Sequence, residues 1–343
     1  MSQPKNLITD VAGLRVGNAH DEKIATGVTA VIFDNETIAS CAVLGGAAAT
    51  RDRDNLEPDA NVHGVNAIVL SGGSGFGLDA ASGVQAFLRE KKIGFDVGGI
   101  TVPIVPQAIV FDLLNGGNKD WGRYPPYREL GYEAASNASE VFSLGTTGGG
   151  YGATTVNLKG GLGSASAMTS SGLTVGALVI VNAMGSTVLG DGPHFWAAPL
   201  EKGDEFGGIG YPAPIPESAR ALAWKGSTQP ATTIALVATD AILTKGQAKR
   251  LAIAAHDGLA RGLRLTHAPM DGDTVFSAAT GRKPLRDDLQ DMMELCAVAA
   301  DCLSRAIARG VYEAAALPFA DALPAWKDKF KKQHLFQRDK TIL

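Results

Sequence analysis

Hydrophobic and polar positions follow two kinds of pattern along this chain. Short apolar runs rich in Val, Ile, Ala and Thr end at glycine clusters, which is typical of β-strands and their turns. Longer stretches with apolar residues three and four positions apart predict helices. The predicted strands are residues 28–33, 40–44, 67–70, 173–181 and 234–238, and the predicted helices are residues 78–91, 245–264 and 286–316. Strands interleaved with a few long helices indicate a layered α+β sandwich.

Two long segments, residues 115–135 and 191–229, follow neither pattern, and we predict that they are loops. Loops of this length in a compact enzyme often form the wall of a binding site. The 42 glycines separate apolar runs instead of forming a low-complexity stretch. No linker or internal repeat is visible, so residues 1–343 are predicted to form a single domain.

Composition and charge exclude several classes of partner. The formal net charge of −4 argues against a nucleic-acid or anionic-membrane surface. The longest apolar stretch, residues 175–185, is too short to span a bilayer and contains Asn182. The N-terminus lacks a signal-peptide pattern, and three cysteines form neither a disulfide framework nor a metal pattern. We therefore expect a cytoplasmic protein with no nucleic-acid or membrane partner.

A glycine-rich segment, LSGGSGFG, follows an apolar run and opens a predicted helix, as phosphate-binding loops do. Its glycines, Gly73, Gly75 and Gly77, do not have the spacing of a dinucleotide fingerprint, and Ser74 does not lie in G-x-S-x-G. We predict a tight strand-to-helix turn here. The six histidines lack any ligand spacing, so no catalytic metal is expected.

Two threonines stand at the mouth of a buried strand in QPATTIALVATDAILTKGQ. Gln229 and Pro230 keep the lead-in extended, and Thr244 with Gln247 forms a capping box for the next helix. Taken alone, Thr232 and Thr233 simply begin a strand. Further on, MDGDTVF places Asp271 and Asp273 on either side of a glycine, which by itself is a turn without the ligand positions of an EF-hand.

Seven segments in order resemble one family: ITDVAGLRVGNAH, TRDRDNLEP, AIVLSGGSGFGLDAASGV, LKGGLGSASA, VGALVIVNAMG, TTIALVATDAILTKGQAKRLAIAAHDGLAR and HAPMDGDTVFSAATG. This family comprises the self-cleaving aminopeptidases and amidases, including L-aminopeptidase/D-esterase, β-peptidyl aminopeptidases and 6-aminohexanoate-oligomer endohydrolase. Threonine at the nucleophile position and the downstream D-G-D make the chain most similar to the nylon-oligomer hydrolase branch. The resemblance implies a four-layer αββα sandwich of the N-terminal-nucleophile-hydrolase type and a homo-oligomer, a tetramer of cleaved protomers.

The resemblance also implies that the chain cleaves itself between Ala231 and Thr232, into residues 1–231 and 232–343, and that Thr232 becomes the nucleophile. The chemistry agrees, because a threonine hydroxyl needs a base. A freed α-amino group titrates at roughly 8, near enough to neutrality to be that base. The nylon-hydrolase branch usually has Asn before this threonine. Ala231 should be tolerated there, since the fold-related ornithine acetyltransferases are similar in cutting at Ala–Thr.

Four further residues match family positions. Asp271 and Asp273 match the pair that orients the nucleophile, and like charge should raise the pKa of one of them. Lys159, which alone would be an ordinary surface lysine, matches a lysine that helps to set the charge state of the nucleophile. Asn182 matches the oxyanion donor, a group typically worth ~3 kcal/mol in the barrier.

Together these expectations describe a hydrolase that attacks an amide carbonyl with Thr232, forms an acyl-enzyme and requires no cofactor. Short peptides, β-amino amides, amino-acid esters and ω-amino acid oligomers all fit as small-molecule substrates. Two alternatives stay open: an acyltransferase with the same nucleophile, and an uncleaved relative that binds a ligand.

Overall fold

The computed structural model describes residues 3–226 and 231–330, so Gln229 and Pro230 lie outside the described residues. The described chain forms eleven strands and four α-helices. The strands are β1 (Leu14–Asp21), β2 (Thr26–Val43), β3 (Thr50–Arg51), β4 (Val65–Ser71), β5 (Phe95–Val97), β6 (Ile100–Val102), β7 (Gln107–Ile109), β8 (Gly161–Met168), β9 (Thr174–Asn182), β10 (Thr232–Ala241) and β11 (Thr274–Lys283). The helices are α1 (Ala80–Glu90), α2 (Tyr127–Ser136), α3 (Lys245–Gly262) and α4 (Asp288–Tyr312). None of these helices is both long and apolar enough to cross a membrane.

Strand β2 is long enough to belong to two sheet halves. Its first part pairs with β1 and β4, and its last part pairs with β11. The strand order is β3-β7-β4-β2-β11-β10-β9-β8, with β1 added on β2. Strand β10 runs parallel to β11 and antiparallel to β9. The last residue of β9, the first residue of β10 and the segment before β11 therefore lie side by side at the same end of these three strands.

The two sheet halves pack face to face with helices outside them. Apolar side chains from both halves form one buried cluster, α1 and α2 cover the first half, and α3 and α4 cover the second. Strand β10 shows why: Ile234 and Leu236 enter the cluster between the halves, whereas Ala235 and Val237 face the helices. Alternate residues of a strand point to opposite faces, so a continuous apolar run is buried on both sides. The four-layer αββα arrangement is confirmed.

Most predicted elements are present. Predicted strands 28–33 and 40–44 are two parts of β2, and α1, α3 and α4 lie within their predicted ranges. The capping box is formed, because the Gln247 N–H donates to Thr244 Oγ1 at 3.2 Å and the Thr244 N–H donates to Gln247 Oε1 at 2.8 Å. The glycine-rich segment is a tight turn: Gly73 has a φ of +88°, and a Cβ there would lie 2.1 Å from the Tyr127 ring.

One predicted loop is partly wrong. Residues 127–135 of the predicted loop 115–135, together with Ser136, form α2, with Pro126 as its N-cap residue. Proline suits the start of a helix, so Pro125 and Pro126 mark a helix entrance here instead of an irregular segment. Close packing on α1 stabilises the helix, since a Cβ on Gly131 would lie 2.1 Å from the Ala80 carbonyl oxygen.

Candidate active site

Thr232 is the first residue of β10, and its register partner on β9 is Asn182. The side chain is buried, and its hydroxyl donates to the carbonyl oxygen of Ala231. The backbone N–H of Gly272 donates to the same carbonyl oxygen at 3.1 Å. The Ala231 carbonyl is thus polarised by two donors, one of which is the hydroxyl of the following residue.

The D-G-D segment lies beside Thr232 because β10 and β11 are parallel, with a further parallel bridge between Ala231 and Asp271. Asp271 and Asp273 are 1% and 0% exposed. Between them, Gly272 faces the threonine: a Cβ there would lie 2.6 Å from Thr232 Oγ1 and 2.9 Å from its Cγ2. Glycine at this position therefore leaves the space that the threonine side chain occupies.

The two carboxylates have different protonation states. Burial opposes ionisation of Asp273, but hydrogen bonds from His267 and Thr233 outweigh it and hold the pKa of Asp273 below its ordinary value. The Thr233 N–H donates to Oδ1 at 3.0 Å, the His267 N–H donates to Oδ2 at 2.8 Å, and His267 Nδ1 lies 3.0 Å from Oδ2. Burial and the nearby Asp273 charge raise the pKa of Asp271 to about 8. The pair therefore holds one proton near neutral pH, as the like-charge argument predicts.

Asn182 is held by hydrogen bonds on both sides of its amide. Its Nδ2 donates to the Phe111 carbonyl oxygen at 2.9 Å. Its Oδ1 accepts from the Thr154 N–H at 3.0 Å and from Lys225 Nζ at 3.2 Å. A primary amide has two N–H groups, and the second one is the donor that can serve a ligand. The place of Asn182 beside Thr232 in the ladder is compatible with the predicted oxyanion role, which stays a prediction.

Lys159 is not a surface lysine. The side chain is buried, and its Nζ donates to the carbonyl oxygens of Gly150, Ala153 and Gly160 at 3.0, 2.8 and 2.9 Å. Burial lowers its pKa to about 7. All three N–H groups of the ammonium already have acceptors, so none is left to bind a ligand. Lys159 can therefore influence the site through its charge. Its role toward the nucleophile stays a prediction.

A cavity of about 530 Å³ lies next to Asn182, a volume common for small-molecule sites. Phe111, Thr154 and Lys225, which all hydrogen bond with Asn182, belong to its wall. The remaining wall residues are Asp112, Leu114, Asn115, Gly116, Gly152, Thr155, Val156, Lys159, Trp224, Gly226, Leu317, Phe319, Ala320, Asp321, Ala322 and Leu323. Both predicted loop segments contribute to this wall.

Sequence reasoning missed three charged or titratable residues at the site. Burial lowers the pKa of Lys225 to about 7. Asp112, whose pKa is raised by burial, accepts from Thr26 Oγ1 and the Gly73 N–H, both at 2.7 Å. His267 contacts Asp273 and has a φ of +57°, uncommon outside glycine. Asp112 could have been recognised from the sequence, because it is a carboxylate directly after an apolar run. Lys225 could not, because a single lysine in a long loop has no distinguishing sequence pattern.

Comparison with known proteins places the chain in a family. The family model for peptidase family S58 matches residues 6–322. A protein named as an uncharacterized aminopeptidase from Mycobacterium tuberculosis is 40% identical over 351 residues, covering 95% of this chain and 98% of that protein. The 6-aminohexanoate-oligomer endohydrolase of Kocuria sp. is 26% identical over 286 residues, covering 80% of this chain and 75% of that protein.

Two solved structures share the fold. A Burkholderia sp. beta-aminopeptidase superposes with a TM-score of 0.70 at 22% identity, covering 98% of this chain and 94% of that one. The L-aminopeptidase D-Ala-esterase/amidase of Ochrobactrum anthropi, described as a variant among the Ntn hydrolase fold, has a TM-score of 0.68 at 18% identity, covering 99% and 96%. The family match extends over nearly the whole chain, and the chain therefore belongs to peptidase family S58 and is a hydrolase of amide bonds.

Proposed function

We propose that this protein is an N-terminal-threonine amide hydrolase that cleaves its own backbone between Ala231 and Thr232. The main support is the contact of the Thr232 hydroxyl with the Ala231 carbonyl, which also accepts the Gly272 N–H. A nucleophile, a polarised carbonyl and an aspartate pair that holds one proton thus adjoin one peptide bond. The described geometry contains the parts that an intramolecular acyl shift needs.

In the self-cleavage step, Thr232 Oγ1 forms a bond to the Ala231 carbonyl carbon and loses its proton to a base. Preorganised N–H donors stabilise the oxyanion of such a step, and the Gly272 N–H is already in place at 3.1 Å. The C–N bond then breaks, and the Thr232 nitrogen takes a proton. Asp273, ionised, and Asp271, protonated, supply an acceptor and a donor of protons within one pair. Water hydrolyses the resulting ester and frees the Ala231 carboxylate.

Substrate turnover repeats this chemistry with the freed amine as base. An α-amino group titrates at roughly 8 and can take the hydroxyl proton of the same residue. Thr232 attacks the substrate carbonyl, the second N–H of Asn182 stabilises the oxyanion, and water releases the acid. The cavity beside Asn182 holds the substrate. Short peptides, β-amino amides and ω-amino acid oligomers are the proposed classes, and the working form is a cytoplasmic homotetramer of cleaved protomers.

The first experiment is the intact mass of the purified protein beside Thr232→Ala and Thr233→Val. Scaled by length from 35.5 kDa, cleavage before residue 232 gives fragments of about 24 and about 12 kDa. N-terminal sequencing of the smaller fragment should read Thr-Thr-Ile. We expect Thr232→Ala to stay whole. Thr233→Val is the matched control and should split, because the Thr233 hydroxyl has no hydrogen-bond partner in the described chain. A wild-type chain that stays whole contradicts the proposal.

A second experiment separates hydrolysis from the two alternatives. The split protein is incubated with 4-nitroanilides of L-alanine, D-alanine and β-alanine, and with linear 6-aminohexanoate oligomers. Release of the free acid indicates a hydrolase. Acyl products that form only with an added amine indicate an acyltransferase, and an intact, inactive chain indicates a ligand-binding relative.

A further inference from the structure

Lys225 is a buried lysine for which neither the family match nor the proposed chemistry accounts. It belongs to the segment before the scissile bond and is only 7% exposed. Its backbone N–H donates to the Met184 carbonyl oxygen at 3.0 Å, which ties this segment to the residues after β9. Burial of an ammonium group costs several kcal/mol unless its partners compensate.

The partners of the Lys225 ammonium are concentrated around Asn182. Nζ donates to Asn182 Oδ1 at 3.2 Å, to the Thr154 carbonyl oxygen at 2.8 Å and more weakly to the Asn182 carbonyl oxygen at 3.5 Å. The two groups are coupled, because ionisation of Asp271 raises the pKa of Lys225. Through these contacts it connects the cavity wall with the side chain that stands beside Thr232 in the ladder.

These contacts determine which way the Asn182 amide points. Its oxygen has two lone pairs, and the Thr154 N–H and Lys225 Nζ occupy both. A flipped amide would turn its NH₂ group toward two donors, one of them a cation. Only one orientation is therefore compatible with the ammonium, and in it the NH₂ group faces away from Lys225.

We propose that Lys225 is a positioning residue that acts through Asn182: its ammonium group locks the amide so that the free N–H faces the acyl oxyanion. This inference rests on the proposed function, because it assumes that Asn182 serves an oxyanion. It predicts that removing the ammonium slows the chemical step and leaves substrate binding nearly unchanged.

The test compares Lys225→Met, Lys225→Gln, Asn182→Ala and the double variant Lys225→Met/Asn182→Ala. Methionine keeps the length of the side chain and removes its donors, whereas glutamine keeps N–H donors without the charge. The matched control is Lys245→Met, since Lys245 Nζ also donates to three carbonyl oxygens, those of Asn55, Ala60 and Val62. Splitting is measured by mass, turnover by kcat and KM on the best 4-nitroanilide, and folding by thermal unfolding.

Removal of one oxyanion donor costs about 100- to 1,000-fold in kcat, so this is the loss expected for Asn182→Ala. We expect Lys225→Met to lose about 10- to 100-fold in kcat with KM within about threefold of wild type, because the interaction acts in the transition state. Lys225→Gln should recover at least about threefold of that loss. Since both residues act as one unit, the double variant should be no slower than Asn182→Ala. Lys245→Met should match wild type, and Lys225→Met should unfold no earlier than wild type.

The proposal is overturned if Lys225→Met keeps wild-type kcat, or if the losses of the two single variants multiply in the double variant. It is also overturned if Lys225→Met stays uncut while Asn182→Ala splits. If both stay uncut while Lys225→Gln and Lys245→Met split, the two side chains act together in self-cleavage as well, which supports the coupling between them. A wild-type protein that neither splits nor hydrolyses the substrates contradicts the proposed function itself. The proposed role of Lys225 is then contradicted as well, because it depends on that function.

Discussion

Gly272→Ala tests the proposed geometry of self-cleavage with a single methyl group. The added Cβ would lie 2.6 Å from Thr232 Oγ1 and 2.9 Å from Thr232 Cγ2. Both distances are shorter than any normal contact, so the threonine side chain must rotate or the two strands must separate. Gly272 does not have a left-handed φ, so alanine causes no dihedral strain there, and the one backbone contact, with the Ala47 carbonyl oxygen at 3.2 Å, is milder than the two with Thr232. The expected effect is steric and is directed at the nucleophile.

The magnitude follows from the overlap. Normal carbon–oxygen contact needs about 3.4 Å or more, so the hydroxyl must move by close to 1 Å. A displacement of that size at a reacting group costs about 100-fold in rate. An extra methyl group in a packed core also costs about 1–3 kcal/mol of the unfolding free energy. We therefore expect self-cleavage at least about 100-fold slower and a folded, moderately destabilised protein.

The assay follows splitting of pulse-labelled protein made by in vitro translation, with fragments resolved by mass. Gly246→Ala is the matched control, because a Cβ at Gly246 would have only the Thr244 hydroxyl within reach, at 3.9 Å. Circular dichroism and urea unfolding confirm that Gly272→Ala is folded. A Gly272→Ala protein that splits at the wild-type rate would refute the assigned position of the nucleophile.

The remaining predictions concern stability and are measured by urea unfolding in the Thr232→Ala background, so that all chains are intact. Thr233→Val should raise the unfolding free energy by about 1 kcal/mol, because it removes a buried hydroxyl without a partner in the described chain; a loss would indicate a hydrogen bond. Burial raises the pKa of Asp271 to about 8, so its contribution is full in acid and is lost as the pH rises through that value. Asp271→Asn should therefore gain stability relative to its parent between pH 5 and pH 8, and a pH-independent difference would contradict the raised pKa. Arg305 Nε and a terminal nitrogen donate to Glu205 at 2.6 and 2.9 Å. Arg305→Met should cost about 3 kcal/mol, the lower end for a broken buried ion pair, because Arg309 Nε remains 3.7 Å from the Glu205 carboxylate; a loss below about 1 kcal/mol would mean that Glu205 reaches water.

The fold was predictable where local pattern and burial agree. The apolar run of β10 indicated a strand covered on both faces, and β10 contributes to the two clusters on either side of the sheet. The α3 capping box was visible because its two residues stand three positions apart. Helix α2 was missed, because its stability depends on contacts of Gly131 and Gly83 with the neighbouring helix, and such contacts leave no local pattern.

The candidate site was predictable where ordered motifs resemble those of a family. The resemblance pointed to Thr232, Asp271, Asp273, Lys159 and Asn182, and the structure places the first three around one peptide bond with Asn182 on the adjacent strand. Their individual roles stay predictions. The role of Lys225 could not be predicted from the sequence, because the burial of a lysine in a loop is visible only in the folded chain.

By itself, the sequence determined the type of the predicted strands and helices outside α2, the capping of α3 and the resemblance to an aminopeptidase family, because these depend on residues close together or on ordered motifs. The tertiary structure alone decided which atoms meet. The register of β9, β10 and β11 brings together Asn182, Thr232 and the D-G-D segment, which are separated by tens of residues. It also decided the pKa values of the two aspartates: that of Asp271 is raised and that of Asp273 is lowered, because desolvation and hydrogen bonding at each carboxylate exist only when the layers close.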